Sequence, residues 1–414
     1  MIELITLLLP INLGKHFITV DAYVRARLID YLVPTIWLQD LVIFFALLIG
    51  FATRKVSFSR RYLRPVLIFL AALLPSVFVA ENLGAAMFFY VRVVLYALFA
   101  LYVAETFKRK WDFSRILKPL SLVVLLLGVL AISQWINQGA VFNNYLVFGE
   151  QPYDISTFNV ARTNIFGLLK IPAYGTFRHP NTLAGFLAVS LFWMYSEMRL
   201  GKRNKLMGLA FIAGLVGIVL TFSQVAMAAL FLSMVFFLAI KRLGKAGVLL
   251  SLFGTLAISL TALFLPTITL NQNLEGDPSF YRRSNLLKSA YQMAADNTPF
   301  GVGANNYTIA LQDYLPLTQV LVFNQPVHNV FALILAESGI FALLAFLALL
   351  IFVGARLLGD SFGYSAVFFI TLLQFFILGS FDHYLYTAHQ TQILFWLTLG
   401  LALSYTDDDA QIQT

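Results

Sequence analysis

Long apolar runs, broken by short polar interruptions that are mostly basic, follow one another along most of the chain. A membrane span needs about 20 mostly apolar residues, fewer where neighbouring helices shelter it. On that measure the pattern predicts twelve spans: 2–13, 35–52, 65–80, 85–105, 117–135, 181–198, 206–220, 223–240, 247–265, 329–356, 364–381 and 389–405. The first is short and interrupted by Pro10, and its position fits a secretory signal. It lacks a basic leading region and a small-residue cleavage site, so it is read as a span. Two intervals are long, 136–180 and 266–328. Within the second, Phe280, Leu287, Tyr291 and Ala294 recur at near-helical spacing, which predicts a helix over 280–296 lying on the membrane surface.

Composition removes the soluble alternatives. The 414 residues are 60% hydrophobic and 12% charged, with 40 Phe against 28 Lys and Arg; mean hydropathy is +0.81. A soluble globule is nearer a quarter charged. With no Cys, a disulfide scaffold, thiol catalysis, Fe–S clusters and Cys-zinc sites are excluded. The expected fold is an all-α polytopic membrane protein, one integral membrane domain over 1–414.

The net charge of +8 raises the question of nucleic acid. Most basic residues sit in clusters between apolar runs: Arg54, Lys55, Arg60, Arg61 and Arg64; Lys108, Arg109, Lys110, Arg115 and Lys118; Arg199, Lys202, Arg203 and Lys205; Lys241, Arg242 and Lys245. That placement orients a membrane protein and offers no basic stripe to nucleic acid. Positive-inside bias puts these clusters and both termini in the cytoplasm, with 136–180 and 266–328 outside. His16, His179, His328, His383 and His389 then map to the outer side or its boundary. The tail Asp407–Asp409 reads as a solvated stop.

Four stretches bear chemistry. In Gly175–Ala184, Pro180 suits the first turn of a helix, where free N–H groups beside Arg178 and Asn181 make an anion site or a plain interfacial cap. Arg282, Arg283 and Lys288 make 280–296 the most basic outer patch, suited to phosphate or to anionic headgroups. Gly301 and Gly303 form either an oxyanion nest or a tight turn. His328-Asn329 opens a span that holds Glu337, Ser338 and Gly339; nine residues of helix put Glu337 about 13 Å from His328, too far for a pair. An ionisable residue inside a membrane is a functional hypothesis in its own right. No metal-ligand spacing occurs in the outer intervals, Glu275 and Asp277 reading as a turn, so no metal and no cofactor is expected.

Together these elements resemble the O-antigen ligase / O-antigen polymerase superfamily of bacterial envelope enzymes. The resemblance rests on Gly175-Thr-Phe177 with Pro180-Asn181 and Leu183-Ala184; on Arg283; on Asp296, Pro299, Gly301-Val-Gly303 and Tyr307; and on His328-Asn329 with Glu337 and Gly339, in that order. It implies a membrane-embedded glycosyltransferase of the GT-C type, acting without metal in the bacterial cytoplasmic (inner) membrane. Such an enzyme transfers a glycan from an undecaprenyl-diphosphate carrier to a lipid or glycan acceptor at the outer face, among membrane lipids. Carried over, His328 is the base for the acceptor hydroxyl and Arg283 a diphosphate ligand. Family members commonly carry Ser-Arg where this chain has Ser223-Gln224, so Arg178 or Arg282 supplies the second cation, or Gln224 holds the donor differently. Ligase and polymerase share these motifs. A lipid-linked glycan transporter is the alternative of another class, and Arg92, inside a span, is the feature most in its favour.

Overall fold

The computed structural model describes residues 1–53, 58–158, 160–202, 204–269, 278–358 and 363–405. Arg54, Lys55, Arg203, Glu275, Asp277 and Asp407–Asp409 lie outside the described residues. The chain is mostly helical. The first half holds α1 (Ile2–Leu8), α2 (Leu38–Ala52), α3 (Arg60–Leu73), α4 (Pro75–Phe78), α5 (Leu83–Arg109), α6 (Ser114–Asn137) and α7 (Pro180–Arg199). The second holds α8 (Lys205–Leu220), α9 (Gln224–Leu243), α10 (Lys245–Thr269), α11 (Pro278–Asp296), α12 (Tyr307–Tyr314), α13 (Leu317–Phe323), α14 (Val330–Arg356), α15 (Tyr364–Phe381), α16 (Tyr384–Thr387) and α17 (His389–Ser404).

Among the described residues seven helices are long and apolar enough to cross a membrane: Arg60–Phe78, Leu83–Arg109, Ser114–Asn137, Gln224–Leu243, Lys245–Phe264, Val330–Arg356 and Tyr364–Phe381. The chain is a multi-pass membrane protein. Leu38–Ala52 and Lys205–Leu220 are apolar but shorter. Residues 2–13 contain only the seven-residue α1, about 10 Å long, which cannot cross about 30 Å of hydrocarbon alone. Its Glu3 pairs with Arg115 at the start of α6. The run from 35 also differs, because Thr35–Trp37 is a strand, β4, and the helix begins only at Leu38.

Helices α7, α15 and α17 occupy the centre. Nearly every residue of each is buried, including Gln374, Thr371, Gln390 and Thr398, and Trp193 donates its indole N–H to the Thr371 hydroxyl at 3.0 Å. Helices that face protein on all sides tolerate more polar residues than lipid-facing ones, which is why α7 and α17 read as less apolar than their neighbours. Between helices already in lipid, close packing rather than transfer from water holds the contact. Gly128 of α6 shows how close: a Cβ there would meet the Ala213 carbonyl oxygen of α8 at 2.5 Å.

Residues 13–37 cover one end of the bundle. Strand β1 (Gly14–His16) pairs antiparallel with β4, and β2 (Tyr23–Val24) with β3 (Arg27–Leu28). Ala22, Val24, Ile29 and Leu32 pack with Ala85 and Ile309 in a small separate core. The interval 136–180 holds a hairpin, β5 (Thr163–Ile165) with β6 (Leu168–Lys170), and is locked to α6 through the buried Glu150. That carboxylate accepts from Gln134 Nε2 at 2.7 Å and from the backbone N–H groups of Val141 and Phe142.

Candidate functional site

Beneath residues 30–37 lies a cavity of about 360 Å³. The N-terminal segment lines it with Tyr31 and Trp37, α5 with Phe88 and Arg92, the start of α7 with Arg178 and His179, and the chain before α14 with His328. Asp382, His383, Tyr384 and His389 enter from the connections around α16. A second cavity, about 170 Å³, is lined by Asn181, Ser223, Gln224 and Arg283. Asp382 and Tyr384 belong to both and join them.

Local geometry explains how His328 is held. Asn329 caps α14, its Oδ1 accepting from Ala332 N at 2.9 Å, while its Nδ2 donates to the Ser380 carbonyl at the end of α15. A capping Asn is worth about 1 kcal/mol to a helix; here it also ties the start of α14 to the turn carrying Asp382. The Asp382 carboxylate accepts from Asn181 Nδ2 at 2.9 Å and from its neighbour's backbone, His383 N, at 2.8 Å. The His328 and His383 rings stand edge-to-face with centroids 5.2 Å apart. His383 Nδ1 is 2.8 Å from the Thr387 hydroxyl, and Tyr31 closes over the same ring at 5.6 Å. His328 Nδ1 is buried with no hydrogen-bond partner among the described residues.

Charge divides the site. Burial, first, holds His328 below the ordinary imidazole range; Asp382 opposes this, and His383, Arg283 and His179 reinforce it. Burial likewise lowers His383 and His179, again against Asp382. For Asp382, burial alone would raise the carboxyl, but His328, His383, His179 and Arg283 outweigh it and keep it below the usual range. The resulting arrangement is one carboxylate among neutral imidazoles, with a guanidinium close by.

The sequence expectations fare unevenly. His328 and Arg178 line the larger cavity; Arg283, Asn181 and Gln224 line the smaller. Arg282 lines neither, although its charge is felt at His179. The helix over 280–296 is present as α11. The start of α7 is not an open anion site: His179 is its N-cap, with Nδ1 accepting from Asn181 N at 3.1 Å, and its carbonyl accepts from Thr182 and Leu183. Asn181 has its side chain engaged by Asp382.

Nor do Gly301 and Gly303 form a nest. Gly301 N donates to Asn297 O, Val302 N to Ala336 O, Gly303 N to Glu337 O and Ala304 N to Ser76 O. Gly339 completes this seam. Its φ of 75° and ψ of −176° break α14, Ile340 N donates to Pro299 O at 3.2 Å, and a Cβ would collide with that same oxygen. Glu337 is buried against the seam and accepts from Tyr307 N at 3.1 Å, which fastens the start of α12 to α14. Asn305 and Asn306 fasten the cover, the first donating to Tyr31 O and the second accepting from Asn82 N.

Asp382 and the aromatic lining were not singled out, and His179 and His383 were placed on the outer side without a role. The available signal was an Asp-His pair between two apolar runs, on the side where the histidines gather. Spacing along the sequence showed no convergent ligand set, yet folding makes one: donor atoms of His328, Asp382 and His383 lie within 4.8 Å of one another, a spacing that a metal ion can bridge. Arg92 lines the larger cavity, so a buried guanidinium here needs no translocation path to explain it.

Part of the chain is similar to known proteins. Residues 209–347 match a family model described as O-antigen ligase. That stretch contains Gln224, Arg283 and His328. The chain is also 30% identical over 190 residues to the "teichuronic acid biosynthesis protein TuaE" of Bacillus subtilis, an alignment covering 42% of this chain and 38% of that protein's length. Residues 209–347, with Arg283, Gly301-Val-Gly303 and His328-Asn329, are thus similar to the O-antigen ligase family, and the chain spans well under half of the length of the relative it matches.

Proposed function

We propose that the protein is a membrane glycosyltransferase that moves a glycan from an undecaprenyl-diphosphate carrier to an acceptor hydroxyl. The observation that carries this reading is the buried His328, its Nδ1 unbonded among the described residues, with donor atoms of Asp382 and His383 within 4.8 Å and Arg283 among the charges that act on it. In the proposed step His328 takes the acceptor O–H proton. The oxygen attacks the anomeric carbon, the bond from that carbon to the diphosphate oxygen breaks, and the diphosphate leaves with its electron pair. Arg283 meets the departing charge with a bidentate fork, which a point charge cannot reproduce. Asp382 stabilises the imidazolium that forms, and Asn181 holds Asp382 in place. These residues need no metal in this step; chelation tests that directly.

Ligation to a lipid and elongation of a glycan use the same chemistry. The relative's part in teichuronic acid biosynthesis favours the second, with a polysaccharide as product. We place the enzyme in the bacterial cytoplasmic membrane with both termini inside and the cavity outward. The test uses purified protein, a labelled undecaprenyl-diphosphate glycan, and lipid and glycan acceptors, with and without EDTA. Transfer that survives EDTA and is lost in His328→Gln is expected. Folded protein that transfers to neither class of acceptor would overturn the reading. For orientation, an impermeant maleimide should label a Cys placed at Ser156, but not at Lys110, in intact spheroplasts.

A further inference from the structure

Arg283 lines the smaller cavity, whereas the larger one holds two further guanidiniums, Arg92 and Arg178, both at the end lined by β4. We infer that this end is a subsite for an anionic sugar, one carrying a carboxylate, on the glycan that occupies the cavity. The inference rests on the glycosyltransferase reading for the identity of that glycan.

Arg92 lies about 14 Å along α5 from its first residue, Leu83. A guanidinium at such a depth is expensive unless something in the site requires it. Its local partners leave it incompletely satisfied. The nearest carboxylate, Asp40, is 3.9 Å from Nε, beyond hydrogen-bonding range. Asp40 is otherwise engaged, accepting from Trp37 N at 3.0 Å and from the Tyr96 hydroxyl. The hydrogen bond that Arg92 makes among the described residues goes to the Thr35 carbonyl, with Phe88 5.0 Å from the guanidinium. Its Nε is buried without a partner.

Arg178 repeats the pattern. Asp30 is 3.7 Å away, too long for a hydrogen bond, the guanidinium lies over Trp37 at 5.4 Å, and Nε is again buried and unbonded. Both cations therefore rest on β4, one against Thr35 and the other against Trp37. Trp37 is itself fixed by stacking on His389 at 3.8 Å with 8° between the planes. A guanidinium presents five donors in a fixed fork that matches a carboxylate. Two such forks, from α5 and from the chain before α7, resting against one strand with each Nε unbonded, suit an anion.

Different guanidiniums act on the histidines of the two ends, and Tyr31, which feels both Arg178 and Asp382, lies between them. Arg283 is among the charges acting on His328, His383 and His179, whereas Arg178 acts on His16. Tyr31, Phe88, Asn305 and Gln325 supply the mixture of rings and amides that suits the faces and hydroxyls of a sugar. A second diphosphate is a bulkier alternative source of the same oxyanion chemistry, and it is an arm of the test.

The experiment measures binding of three matched oligosaccharides to the purified full chain in detergent: one ending in a hexuronic acid, its carboxyl-reduced form, and a phosphorylated form. The wild type should bind the uronic form about 10- to 100-fold more tightly than the reduced form, as for gain of a charge-assisted contact. Arg92→Gln and Arg178→Gln should each shrink that ratio, and Arg92→Lys should keep part of it. Equal affinity for acid and reduced forms in the wild type overturns the inference without any variant. Tighter binding of the phosphorylated form overturns the carboxylate assignment. Because the readout is binding, an acid preference in protein that transfers no glycan would sustain the subsite while removing the enzyme reading.

Discussion

Replacing Asp382 with Asn keeps the shape of the turn and removes one charge from the centre of the site. The carboxylate lies within 4.8 Å of a donor atom of His328. At an effective dielectric of about 20, a unit charge at that distance is worth about 3 kcal/mol to the imidazolium formed in the transition state. That corresponds to a loss on the order of 10²-fold in turnover. The amide oxygen can still accept from Asn181 Nδ2 or His383 N, so the fold should survive, and unchanged thermal unfolding in detergent would establish that. Turnover of a labelled lipid-linked glycan at saturating donor is the assay. Activity within about threefold of wild type, in protein of unchanged stability, would refute the idea that Asp382 supports a proton on His328.

His328→Gln should reduce turnover by about 10²–10⁴-fold while leaving donor binding nearly intact, as measured by single-turnover kinetics and binding on the same preparation. Arg283→Lys should weaken donor binding by about tenfold, since an ammonium replaces a fork; wild-type affinity would count against a diphosphate contact. Gly339→Ala should destabilise the protein by about 3 kcal/mol or more, through a conformation that only glycine adopts easily and through strained seam hydrogen bonds; an unshifted melting temperature would contradict this. Acid should act through His179, His328 and His383, whose folded-state pKa values lie below the ordinary 6.5. Stability is then complete above pH 6.5 and is lost as pH falls below it, while the neutral base keeps activity level through 6.5; a midpoint of activity at or above 6.5 is the contrary result.

The apolar pattern located the helices well wherever a run faced lipid on one side, as in α5, α6 and α14. It misjudged the N-terminal segment, because seven residues of helix followed by Pro10 gain their burial from neighbours rather than from length. Ordered motifs pointed to the residues around both cavities, since His328 and Asn181 sit at the boundaries of apolar runs and Arg283 in the basic 280–296 helix. What they do there was less legible. Asn181 was read as part of an anion site, and its side chain also grips Asp382; Glu337 invited a functional role, and its carboxylate holds the start of α12. Such roles depend on partners far away in the chain, which no local spacing reveals. Asp382 itself was passed over because a single carboxylate in a short turn carries no periodic signal.

The seam between Pro299–Ala304 and Ala336–Ile340 bears on how such chains can be recombined. Main-chain atoms make its hydrogen bonds, so side-chain swaps alone cannot reshape it, and its geometry depends on Gly339 meeting one particular carbonyl. A chimera with its crossover between these two strips would join halves whose backbones were never fitted to each other. Exchange of acceptor preference between relatives is better attempted with junctions before Asp296 and after Ile340, moving α12, α13 and the start of α14 as one module.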